Sequence, residues 1–192
     1  MPSFDAKNYT EQLVHHYENY FGLTGTRLKW PKGPVDKLHP DFFILEFPPN
    51  QKQEMFCYCT VGMSVDYMDE PMEMIVYSPR SDLSLVELLT ICTSYHRNKA
   101  PLNLHHTVNI GQPWLDFSRC DHGFISLPYL DGNDLCVFNF NDQVIPCYWF
   151  IPITKQERDY KIEQGAEALE LLFEQHQLDY LNAGRESLIP YH

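Results

Sequence analysis

His106-Thr107-Val108-Asn109-Ile110-Gly111-Gln112-Pro113 is the stretch from which the fold is read. Its β-branched residues favour a short strand over 107–110, and Gly111 and Pro113 end it. Upstream, Ser81 or Asp82 can cap a helix in which Leu85, Leu88, Leu89, Cys92 and Tyr95 recur at helical spacing. Val86 and Ile91 widen that apolar stripe, which predicts deep burial. Downstream, the apolar runs 123–130 and 135–140 are separated by Asp131-Gly132, a dipeptide favoured in hairpin turns. Asn141-Asp142 makes another turn before residues 144–153. There Pro146 implies a sheet edge, a bulge or a later strand start, because proline donates no ladder hydrogen bond.

Further out, Asn8 followed by Glu11 marks a helix start, and Leu13, Val14, Tyr17, Tyr20 and Phe21 share one face until Gly22. The glycines and prolines of residues 23–40 predict an ordered loop. Residues 41–47 and 53–61 read as strands joined through Pro48-Pro49-Asn50, with a third strand at 72–78. The loop 62–71 between them is acidic. Thr154 and Glu157 form a capping-box pattern ahead of one long closing helix with Tyr160, Ala166, Leu169, Leu172 and Phe173 on its inner side. Gly165 inside it costs about 1 kcal/mol relative to alanine, which predicts close packing at that point. Leu188 and Ile189 are the tail's candidates for docking. Hairpin-like strand pairs with helices at both ends make the chain α+β. The expectation is one domain over residues 1–192, a mixed, largely antiparallel sheet packed by helices, including a long C-terminal helix.

A length of 192 residues, with 44% hydrophobic and 21% charged, suits one soluble globular core. The formal net charge of -12 disfavours nucleic acid and anionic membrane as partners, since both demand a concentrated positive field. A basic protein is the natural complement, although acidity serving solubility alone gives the same number. No basic-then-apolar leader follows Met1, and no window approaches bilayer length, so a cytoplasmic location is expected. Cys57, Cys59, Cys92, Cys120, Cys136 and Cys147 lie in apolar surroundings and are expected to be reduced and mostly buried.

Tests for chemistry find no pattern that a catalyst, metal or cofactor requires. His96, His105, His106 and His122 lack compact ligand spacing, and adjacent histidines in an extended segment face opposite ways. Cys92 and His96 are four apart on one helix face, as a thiolate and its base would be, but a buried mid-helix thiol lacks access and an oxyanion site. Ser126 has no glycine-flanked elbow. Asp66, Asp69, Glu70 and Glu73 miss the calcium-loop spacing and read as a solvated acidic face or a partner-facing patch.

The order of segments resembles the suppressor-of-fused domain in its compact prokaryotic form. Gly62-Met63-Ser64 is similar to that family's Gly-Met-Ser stretch, and Glu73-Met74-Ile75-Val76-Tyr77 to the acidic-then-apolar strand after it. The helix through Leu88 and Tyr95, then His105-His106-Thr107 and Gly111-Gln112-Pro113, resemble the helix and Gly-His-Thr segment that follow. Ile151-Pro152-Ile153-Thr154 with Glu157, Tyr160-Lys161 and Gly165 resembles the last strand and closing helix. The likeness spans about residues 40–175. It departs where His105 stands in place of glycine and where Asn109-Ile110-Gly111 replaces Asn-Gly.

The resemblance implies a non-enzymatic domain that binds other proteins. Prokaryotic members resemble immunity proteins, which neutralise a cognate toxin, and a basic toxin domain would suit this chain's charge. The alternatives are a regulatory protein that sequesters an endogenous partner at a strand edge, and a small thiol/His hydrolase using Cys92 and His96, with His106 as a further candidate member. The candidate partner-binding residues are Asp66, Asp69 and Glu70 of the acidic loop, with His105, His106, Asn109 and Gln112.

Overall fold

The computed structural model describes residues 5–66 and 69–190. In chain order its elements are α1 (Ala6–Phe21), β1 (Thr26–Leu28), a 3-10 turn (Pro34–Lys37), β2 (Phe43–Phe47), β3 (Phe56–Val61) and β4 (Glu73–Ser78). Next come α2 (Leu83–Asn98), β5 (Thr107–Asn109), β6 (His122–Ser126) and the single turn α3 (Asn133–Cys136). The chain closes with β7 (Val137–Phe140), β8 (Gln143–Ile153), α4 (Lys155–Gln164) and α5 (Ala166–Gln175). The expected α+β class is what the chain adopts. One sheet runs β1-β2-β3-β4-β8-β6-β5, with β7 paired to the first half of β8. Every pairing is antiparallel except β4 with β8.

Strand alternation sends side chains into two cores, one on each face of the sheet. Phe43, Leu45 and Phe47 of β2, Cys57 and Cys59 of β3, and Ile75 and Tyr77 of β4 pack with α1, α5 and β7. Ile44, Tyr58, Met74 and Val76 pack on the other face against α2, Trp114 and Leu115. Because both faces are covered, these strands read as near-continuous apolar runs. Met74 and Val76 alternate with Ile75 and Tyr77, yet all four are buried.

Several local expectations are corrected. The closing helix is two helices, broken at Gly165 with φ +95 and ψ 167. A Cβ there would meet nothing within 4 Å, so the glycine serves a backbone conformation closed to other residues, and the close-packing expectation fails. Asp131-Gly132 is not a hairpin turn, since β6 pairs with β5 and β8 while α3 intervenes before β7. Asn141 and Asp142, both at positive φ, do turn β7 into β8. Pro146 lies in the stretch of β8 that pairs with β7 alone, before β4 joins at Cys147, which is the edge-like placement its missing N–H demands. Asp5, not Asn8, caps α1, through Asn8 N–H at 3.0 Å. Residues 23–40 hold an edge strand as well as loop. Ile91 and Tyr95 of α2 are about half exposed, so the stripe is narrower than read.

Candidate partner-binding site

The acidic loop divides into groups with opposite environments. Glu73, grouped by sequence with a solvated face, is fully buried. Its carboxylate accepts from Tyr9 of α1 at 2.8 Å and from Thr60 of β3 at 2.5 Å. The backbone N–H groups of Gly62, Met63 and Ser64 close around it at 3.2 to 3.4 Å. Burial pushes Glu73 up to about 7, against the pull of these donors. Gly-Met-Ser and the glutamate after it, quoted above as separate motifs, are therefore one hydrogen-bonded structure that also holds α1.

Asp66, Asp69 and Glu70 are exposed, as read. Asp66 takes a positive φ and lies 3.3 Å from His39 Nε2. The start of the loop is held by Arg97 of α2, which donates to the carbonyls of Met63 and Val65. His106, Asn109 and Gln112 are exposed too, and Asn109 Oδ1 accepts from Gly111 N–H at 2.8 Å. His105 precedes β5 with φ +66, so strand alternation does not apply to the histidine pair. The position where the resemblance expects glycine does need left-handed backbone, and here a histidine supplies it. The turn is kept: His105 N–H donates to Ile125 at 2.7 Å, and Ile125 N–H to His106 at 2.9 Å. The acidic loop is tied to α2 and His39, whereas His105 is tied to α5, so the predicted residues do not form one cluster.

His105 leads to a site the sequence did not disclose. Its ring stacks parallel on Phe124 at 5.9 Å, and its Nε2 is 3.3 Å from Glu170 on α5. The same carboxylate accepts from Ser126 of β6 at 2.6 Å. Glu170 lies on the wall of a groove of about 720 Å³, whose floor is Trp149 and Ile151 of β8 with Phe173 of α5. Tyr129, Leu130 and Leu171 are its exposed lining residues, and Leu178 and Tyr180 of the tail line it as well. Tyr180 meets Trp149 edge-on at 5.0 Å. Glu167, Glu170 and Glu174 all line the wall given by α5. Their i, i+3, i+7 spacing was visible as a helix-face pattern, but the floor comes from a strand and the tail, which only the tertiary fold brings there.

The tail beyond α5 is clamped by one buried ion pair. Arg185 donates to both oxygens of Glu157, at 2.6 and 2.8 Å, and to the carbonyl of Pro152 at 3.0 Å. Glu157 also accepts from Thr154 N–H at 2.8 Å, completing the predicted capping box, and from Leu188 N–H at 3.0 Å. Leu188 packs against the core, as expected.

The helix that carries Cys92 and His96 buries both. Burial pushes the Cys92 thiol up to about 12, so it stays protonated at neutral pH. Burial also pushes His96 down to about 4, and its Nδ1 accepts from Leu102 N–H at 2.9 Å, which fixes the loop after α2. A core thiol beside a loop-holding imidazole is the arrangement found. The six cysteines are unbridged, and Cys57 and Cys59 bring their sulfurs to 3.6 Å from the same strand face. Among the described residues no three His, Cys, Asp or Glu side chains are grouped to hold a metal ion, and no helix is long and apolar enough to cross a membrane.

The fold is an α+β one, a mostly antiparallel sheet buried on both faces, with the Gly-Met-Ser and glutamate lock at the start of β4. The family model described as Suppressor of fused protein (SUFU) matches residues 39–186. The chain belongs to the suppressor-of-fused family. Its fold is similar to the crystal structure of a SUFU homolog from Neisseria gonorrhoeae FA 1090. That match has a TM-score of 0.85 and 27% identity, covering 97% of this chain and 100% of that one. It is also similar to a chain of the Sufu–Fu complex, with a TM-score of 0.70, 9% identity, and 94% and 92% of the two chains covered. Drosophila Suppressor of Fused matches with a TM-score of 0.68 and 10% identity over 94% of this chain, which spans 51% of that one. No curated protein matches the sequence.

Proposed function

We propose that the chain is a non-enzymatic protein-binding domain of immunity type, one that binds and neutralises a cognate basic toxin domain in the cell that makes both. The observation that carries this reading is the acid-walled apolar groove between α5, β8 and the turn after β6, in a chain of net charge -12. Carboxylates speed encounter with a basic surface, and the apolar floor supplies the burial that holds a complex together. In this reading His105 acts at the groove, through Glu170, while Asp66, Asp69, Glu70, His106, Asn109 and Gln112 are candidate contacts outside it. A family in which a Sufu–Fu complex has been solved supports protein binding as the coarse role.

The test is co-expression with the product of the neighbouring gene. Growth that depends on this chain, with a complex that co-elutes from a sizing column, supports the reading. Growth arrest despite abundant chain, with no complex formed, overturns it. One observation favours the alternative of sequestering an endogenous partner: β5 ends the sheet order, and no strand among the described residues pairs with its outer edge. Crosslinks gathered along residues 107–109, rather than at the groove, would point that way.

A further inference from the structure

The groove also restricts what sort of segment enters it, a deduction that rests on the protein-binding reading above. Tyr129, Leu130 and Leu171 line it more than half exposed, so the apolar floor continues onto the surface instead of closing around a small molecule. The charge lies on one side only. Among the described residues, no lysine or arginine forms an ion pair with Glu167, Glu170 or Glu174. Glu170 is occupied by Ser126 and His105, whereas Glu167 and Glu174 are exposed. At 1.5 Å rise per residue these two stand about 10 Å apart along α5. An extended chain covers that distance in about three to four residues, and only the even spacing of four puts both side chains on one face.

We propose that the groove receives an extended surface segment of the partner in which an aliphatic or aromatic side chain is flanked, two residues to either side, by two lysines or arginines, so that all three side chains share one face. The apolar side chain rests on Trp149, Ile151 and Phe173. The cations pair with Glu167 and Glu174. A second copy of this chain is a poor occupant, because its own net charge would bring like charges together.

The probe is the synthetic heptapeptide Gly-Lys-Gly-Phe-Gly-Lys-Gly, titrated into the full chain to about 1 mM and followed by NMR. The expected result is saturable shifts confined to Trp149, Ile151, Leu171 and Leu178. Binding should weaken roughly three- to tenfold in the doubly substituted E167Q/E174Q protein, whose exposed substitutions leave the fold intact. Exchanging the lysines for glutamates, or Phe for Gly, should abolish the shifts. Scattered or absent shifts overturn the proposal. So does equally tight binding of phenethylamine, which would reassign the groove to a small organic cation, and so does self-association lost in E167Q/E174Q, which would reassign it to a second copy. The two readings fail separately. Peptide binding without protection in co-expression removes the immunity role and keeps the groove, whereas protection undiminished in E167Q/E174Q without peptide binding does the reverse.

Discussion

His105 holds a left-handed backbone conformation that costs a residue with a Cβ about 1–2 kcal/mol, and it does so beside the groove. Replacing it tests that cost directly. We expect H105G to be more stable than H105A by roughly 0.5–1 kcal/mol in urea unfolding, the left-handed penalty less glycine's greater unfolded-state freedom. Equal stabilities would mean that the turn relaxes. Glu73 makes a different prediction. Its folded pKa of about 7 lies above the ordinary 4.5, so its contribution to stability is full below about pH 4.5 and is lost as pH rises through about 7. The loss is on the order of 3 kcal/mol. E73Q cannot titrate, so its unfolding free energy should decline less between pH 5 and pH 8 than that of the parent, whatever its absolute stability. Parallel pH profiles for the two proteins would refute the assignment. Arg185 is the third case. Replacing it by methionine leaves Glu157 buried without its cation, and the expected loss is about 3–5 kcal/mol by thermal or urea unfolding.

At the scale of elements, Gly165 decides where the two closing helices part. G165A meets no steric obstacle from neighbours, yet it should destabilise the chain by about 1–3 kcal/mol, because φ +95 with ψ 167 is essentially glycine-only backbone. Circular dichroism melts would measure this, and a neutral result would show that α4 and α5 can fuse. The same position marks the limit of what the sequence disclosed. Helical periodicity located α1, α2 and the closing helices, because each buries one face and repeats it every turn. It could not separate α4 from α5, since a glycine's φ leaves no mark on the pattern around it. The strands of β2, β3, β4 and β8 were legible as apolar runs for the opposite reason, being buried on both faces. Their partners were not, and Asp131-Gly132 misled because local turn chemistry says nothing of which strand lies alongside. Asp131 instead accepts the hydroxyls of Tyr20, at 2.7 Å, and Tyr77, a long-range role invisible in a dipeptide. The groove was hidden likewise: α5 shows its glutamates in sequence, but Trp149 and Tyr180 reach them only through the sheet and the tail.

For the whole molecule, a net charge of -12 would place encounter with the basic partner proposed above under long-range control. The association rate should fall several-fold between about 0.05 and 0.5 M salt while the dissociation rate changes little, a split that stopped-flow mixing measures. A salt-independent association rate would assign the acidity to solubility alone. The clamp of Arg185 on Glu157 has a consequence for how the molecule is made. Leu178 and Tyr180 line the groove, and the clamp that follows them grips the end of β8 and the first turn of α4. A nascent chain emerges from the ribosome N-terminus first, so the sheet can begin to assemble long before this segment appears. The groove is therefore among the last parts of the domain to be finished. On the binding role proposed for it, a groove completed so late would be withheld from partners while the rest of the chain is still folding, which would tie competence to bind to completion of the domain around it.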